Sequence, residues 1–332
     1  MFRKRPRSGC DPRTRRKQTI QTATAALLIM ALFSSLTMFF IGWRKRLGTE
    51  RKELLRIWED GAFEKAFTLS REELQTKPMD YFLLIFYGFA AYQLAVAQIA
   101  SADTQFYIDE CIWSLRKALL CKEGGGDLRI QYVLGKAYYY KGAGYADLAV
   151  RFLEAAQNGA YQARDLPEYL GLSYAAKRDY RNSVAAFSLA LASERDGGPA
   201  QDPAGFAPEF IQQDEYPSDL LLLSIARSYM ALDEQDSAKA YLMRCVETSK
   251  DAETVVAARL LLGNIFEKTG YISLAEAQYL ALLEEDGENA EAHYHLGELY
   301  AAGGDSTRAR AEWRKAVRID PAHRSARSRL NM

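Results

Sequence analysis

The sequence predicts an all-α protein: a solenoid of about seven stacked helical hairpins preceded by one transmembrane helix. Three observations predict it. A short pattern recurs five times: Leu or Ile, a small residue, then an aromatic residue three positions on. Where copies adjoin, their small residues lie 36, 37 and 34 residues apart, and self-similarity at such a period marks repeated supersecondary units. Ahead of the first copy, Gln18 to Trp43 carries no ionisable side chain.

Residues 1–18 form a basic tail, which the positive-inside rule places in the cytoplasm. Residues 19–43 read as the membrane anchor. As a helix the uncharged run is roughly 39 Å long, against about 30 Å of hydrocarbon core. Trp43 and the following Arg44-Lys45-Arg46 suit an interface. The rest of the chain would then lie across the membrane, in a bacterial periplasm. The formal charge of the whole chain is zero, but residues 1–56 carry +11 and the remainder −11, which excludes a nucleic-acid-binding body.

Residues 47–127 read as two divergent repeats. The first contains Gly61-Ala62-Phe63 and ends near Pro78; the second places Gly88 in the small-residue slot but is about 13 residues too long. Within it, Tyr81–Ala102 carries no charge, so it reads either as a buried solenoid helix or as a second membrane span. Residues 128–197 hold Leu134-Gly135…Tyr138 and Leu170-Gly171…Tyr174. Residues 198–218 contain Pro199, Pro203, Pro208 and Pro217, too many for a helix, with Phe206, Phe210 and Ile211 as apolar docking candidates. Residues 219–323 hold Ile225-Ala226…Tyr229, Leu262-Gly263…Phe266 and Leu296-Gly297…Tyr300, and 324–332 form a basic cap.

Each copy is followed by a second helical pattern, such as Ala275/Tyr279/Leu282 or Ala309/Trp313/Ala316. Two helices approach closely only where small residues meet, with the aromatic filling the wedge toward the next pair. The pattern resembles the tetratricopeptide repeat family, in its membrane-anchored bacterial form. Ala290–His323 is the best copy, with Leu296, Gly297, Tyr300, Ala309, Trp313, Ala316 and Pro321 in register and His293 in the tryptophan slot.

The resemblance implies a concave groove lined by the first helices. Carried over, its candidates are Phe82, Ile85, Phe89, Tyr92, Tyr132, Lys136, Tyr139, Leu172, Leu223, Arg227, Met230, Asn264 and Tyr294. One branch of the family grips a terminal carboxylate with Lys and Asn one turn apart. Here Asn264 fills one slot but Leu260 stands in the other, so hydrophobic or aromatic peptide segments fit better.

No chemistry competes with this. There is no G-x-S-x-G, H-E-x-x-H or C-x-x-C-H, and Gly124-Gly125-Gly126 lacks the Lys-Ser/Thr of a phosphate loop. His293 and His295, two apart, point about 200° from each other on a helix. Cys111 and Cys121, expected on one helix about 15 Å apart in rise, cannot pair. The expectation is a non-catalytic scaffold without cofactor, metal, small-molecule substrate or nucleic acid. Anchored at an envelope membrane, it would bind other proteins in export or in assembling an envelope or flagellar-motor complex. The competing expectations are an organelle import receptor with a cytosolic repeat domain and, behind it, an enzyme-associated docking factor.

Overall fold

A computed structural model describes residues 49–97, 103–196, 219–285 and 287–331. Among them are fifteen α-helices and no strand. In chain order these are α1 (Thr49–Glu59), α2 (Phe63–Thr76), α3 (Tyr81–Ala97), α4 (Thr104–Ala118), α5 (Leu128–Lys141), α6 (Ala146–Asn158), α7 (Leu166–Ala176) and α8 (Tyr180–Asp196). Beyond the prolines follow α9 (Asp219–Ala231), α10 (Gln235–Thr248), α11 (Ala252–Lys268), α12 (Ile272–Glu285), α13 (Ala290–Ala302), α14 (Ser306–Ile319) and α15 (Arg324–Leu330).

First helices begin where an Asp or Asn stands to cap them. Asp80 accepts from the Leu83 backbone N–H at 3.1 Å, Asp127 from Arg129, Asp251 from Thr254 at 2.8 Å and Asn289 from Ala292 at 2.9 Å. Each such cap is worth about 1 kcal/mol. At α7 Pro167 serves instead, since its missing N–H is one the first turn leaves unbonded.

Consecutive helices pair into seven hairpins, and α15 packs on α14. First helices also touch the first helix of the next hairpin, from α3 through α5, α7, α9 and α11 to α13. They therefore form an inner layer, with α4, α6, α8, α10, α12 and α14 outside it.

The close approaches differ in kind from small meeting small. A Cβ on Gly171 would lie 2.5 Å from the Phe187 ring, one on Gly263 2.4 Å from Tyr279, and one on Gly297 2.4 Å from Trp313. The glycine of one helix receives a large aromatic side chain of its partner, so the hairpin closes on a bulky knob in a hollow. The wedge aromatics do reach the preceding hairpin: Tyr300 donates to Glu276 at 3.0 Å, Tyr174 to Glu154, and Arg116 donates to Tyr138 at 3.3 Å.

The transmembrane helix expected ahead of the solenoid is corrected. Among the described residues no helix is long and apolar enough to cross a membrane, and the fold they form is an all-α solenoid with no span. Residues 1–18 and 19–43, where tail and anchor were expected, lie outside the described residues, as does the 198–218 loop with Phe206, Phe210 and Ile211. The second candidate span resolves physically. Helix α3 has 17 residues, roughly 25 Å at 1.5 Å each, and is buried from Phe82 through Gln93 by the helices around it. It is apolar all round because it is an interior helix.

Two local expectations also change. Helix α4 ends at Ala118, so Cys121 lies in the turn beyond it rather than on the helix of Cys111. The three glycines form a 3₁₀ turn, and a Cβ on Gly124 would collide with the Ala118 carbonyl oxygen at 1.9 Å. That turn takes up part of the extra length of the second repeat.

Candidate partner-binding surface

The inner layer divides into a largely buried half and a more accessible one. In the first half Phe82, Ile85, Phe89 and Tyr92 of α3 are buried, as are Tyr132 and Lys136 of α5. Phe82 lies under the Arg51 guanidinium at 5.0 Å. Lys136 is 3 % exposed, and its Nζ stands 4.2 Å from the Tyr169 ring centre, 5.0 Å from that of Tyr132 and 5.7 Å from that of Tyr92. It bonds Asp165 at 2.6 Å and the Tyr132 hydroxyl at 3.1 Å, while Tyr132 also donates to Asp165. Tyr140 and Tyr169 share a hydrogen bond of 2.7 Å.

Burial drives the phenols of Tyr92, Tyr132 and Tyr169 well above their ordinary range, and Asp165 adds to the shift at each. All three stay neutral, which suits rings that surround an ammonium. Tyr92, Tyr132 and Lys136 therefore form the joint between α3, α5 and α7, whereas Phe82 and Ile85 line a recess of about 440 Å³ with Arg51, Asp80, Tyr81 and Arg129. Tyr139 and Leu172 remain half-buried at the edge of that seam. Tyr139, Tyr140, Ala143, Ala146, Ser173 and Ala176 line a recess of about 280 Å³.

The second half is different. On α9, Leu223 is buried but Arg227 is exposed and Met230 half-buried; on α11, Asn264 is half-buried. Neither Arg227 nor Asn264 has a hydrogen bond or ion pair among the described residues. Leu220, which the sequence reading missed, is 54 % exposed and shares the face of Leu223 and Arg227 at helical spacing. Its signal was simply its place three residues before Leu223.

On α13, Tyr294 packs against His323 with ring centres 5.1 Å apart, and Glu298 receives two bonds from Arg329 of α15, at 2.9 and 2.5 Å. The cap thus covers part of the last inner face. His293 is buried, with Nδ1 2.6 Å from Glu312, whereas His295 stacks on Tyr279, so the two do not share a ligand. Among the described residues no group of three or more His, Cys, Asp or Glu side chains is placed to hold a metal ion.

An outer recess of about 400 Å³ lies between α4, α5 and α6. Leu119, Leu148, Phe152 and Ala155 form its floor, with Arg116, Leu120, Gln131 and Arg151 around them.

Residues 290–323 and 221–251 match the family models described as tetratricopeptide repeat. Two of the hairpins carry that repeat. Among solved structures, the C-terminal part of a TPR repeat-containing protein from Cytophaga hutchinsonii superposes with a TM-score of 0.58 at 14 % identity, covering 85 % of this chain and all of that one. PilW, a type IV pilus biogenesis factor, gives 0.53 at 16 % identity, covering 73 % of this chain and 98 % of that one. At such identities the likeness is one of fold. Among curated proteins, none matches this chain in sequence.

The described residues share the fold of these repeat proteins, and two of their hairpins carry the repeat itself. What these findings leave unsupported is the membrane. The expectations of a single-pass anchored bacterial type, a periplasmic solenoid and a partnership through the bilayer all rested on a span. No membrane-crossing helix occurs among the described residues, and the repeat matches lie wholly within the solenoid.

Proposed function

We propose that the protein is a scaffold that binds partner polypeptides along the inner faces of α9 and α11, bordered by α13. The observation that carries the proposal is the contrast between the two halves of the inner layer. In α3, α5 and α7 the inward ammonium is consumed within the layer, Lys136 by Asp165 and Tyr132, and the polar atoms left over, the Tyr92 hydroxyl and the Gln93 amide nitrogen, are buried out of a partner's reach. In α9 and α11 the inward Arg227 and Asn264 have no hydrogen bond or ion pair among the described residues, and Leu220 and Met230 supply apolar surface beside them. An amide side chain can both donate to and accept from a peptide backbone, and a guanidinium grips a carboxylate or carbonyl in a fixed fork.

A receptor, in which the groove itself does the recognition, is thereby better supported than a membrane-anchored scaffold. Selection of peptides from a random displayed library on the purified protein tests the reading. Enriched peptides are expected to bind roughly tenfold or more weakly to the Arg227→Ala/Asn264→Ala variant. Unchanged affinity for that variant would remove these helices as the site.

A further inference from the structure

We propose a second binding surface on the outer face, in the recess between α4 and α6, that takes an acidic peptide segment bearing Leu or Phe between carboxylates. This goes beyond the inner-face reading and does not depend on it. The recess has an apolar floor of Leu119, Leu148 and Phe152, and Leu120 at its edge is 77 % exposed, the most exposed of the large apolar side chains among the described residues. An exposed aliphatic residue continuous with an apolar hollow is a place where a partner's side chain is desolvated at little cost.

Charge chooses the partner. Arg116 and Arg151 stand over the floor, both exposed, in a chain whose portion beyond residue 56 carries a net charge of −11. Neither has a carboxylate partner among the described residues; Arg116 only donates to the Tyr138 hydroxyl at 3.3 Å. The acids that the same two helices offer are committed elsewhere. On α4, Asp109 pairs with Lys141 and Glu110 accepts from Tyr87; on α6, Asp147 pairs with Lys177 at 3.0 Å and Glu154 accepts from Tyr174. Two guanidinium forks beside an apolar hollow are thus left to an outside carboxylate, which each can bind through two parallel hydrogen bonds. An apolar residue with acidic neighbours satisfies floor and rim together.

The test uses the full chain and a fluorescent synthetic peptide that alternates Glu with Leu and Phe, read by anisotropy. Binding is expected, weakening as salt rises. The Arg116→Glu/Arg151→Glu variant is expected to bind roughly tenfold or more weakly. Because Arg116 also holds the Tyr138 hydroxyl, Arg151→Glu alone is the control, expected to weaken binding with its thermal midpoint unmoved. Phe152→Ala should weaken binding from the apolar side, and Arg227→Glu should leave it alone, which separates this surface from the inner one. Equal binding of the peptide with Gln in place of Glu, equal binding to the double-arginine variant, or no binding to the unaltered chain would each overturn the proposal.

Discussion

At the scale of single residues, Lys136 is the side chain on which most depends. Its ammonium is buried among three neutral tyrosines, while Asp165, at 21 % side-chain exposure, keeps one edge toward water. Lys136→Ala removes the cation opposite Asp165 and leaves that carboxylate only the Tyr132 hydroxyl as donor, so the loss is expected near the lower end of buried-pair values, about 3 kcal/mol in urea unfolding. Adding Asp165→Asn should recover part of it, because the stranded charge is then gone. A loss below about 1 kcal/mol would show the pair to be ornamental. His295 carries a second prediction. Burial holds its imidazole below the usual range, with His323 acting the same way and Glu267, Glu291 and Glu298 opposing. Because the folded group binds its proton less readily than the unfolded one, its contribution is present above about pH 6.5 and lost as pH falls below it. The thermal midpoint should drop between about pH 7.5 and 5.5, and His295→Gln should flatten that drop.

At the scale of elements, five of the seven hairpins close on a glycine and a large residue, the one of α9 and α10 having Ala226 in that place. Gly263→Ala and Gly297→Ala are expected to cost about 1–3 kcal/mol each, since the added methyl meets a ring held on both sides. Gly125→Ala, which meets nothing within 4 Å, should stay within about 0.5 kcal/mol. Equal melting curves for all three would refute the packing described. The hairpins themselves were legible in the sequence because period, small residue and aromatic repeat together, as at Leu262-Gly263…Phe266 and Leu296-Gly297…Tyr300. The groove was not legible to the same degree. Tyr92 and Tyr132 have the same residue type and spacing whether they face a partner or the next helix, and only the contact with Tyr169 and Lys136 decides. Arg227 and Asn264 have no bonding partner among the described residues, which no local pattern encodes. Likewise the charge-free run from Tyr81 is compatible with lipid or with protein on every side, and α2 and α4, with a smaller share from α5, supply the protein.

For the whole molecule, the buried apolar groups fall into unequal bodies. One runs from Leu54 to Ala186 and a second from Leu222 to Leu299; among the described residues the buried Phe187, Ala190, Leu221 and Ile225 lie between them, with the partly buried Leu172, Leu191, Tyr229 and Tyr241 packed against them. The Ser183 and Ser228 hydroxyls, 3.0 Å apart, are the polar link at that seam. Stability in stacked repeats is a sum of unit and neighbour terms, so the thin junction should uncouple first. Amide exchange in rising urea is expected to release α9–α14 as a group distinct from α1–α7. A single coincident transition by every probe would show the junction to be stronger than its contacts suggest.

The knob and its hollow always belong to one hairpin: Gly171 with Phe187, Gly263 with Tyr279, Gly297 with Trp313. Units can therefore be shuffled, duplicated or removed at crossover points between hairpins without separating a matched pair, whereas a crossover inside a hairpin brings together two strangers. The chain is built to lengthen or shorten by whole modules, and any new combination would have to renegotiate only the surfaces between them.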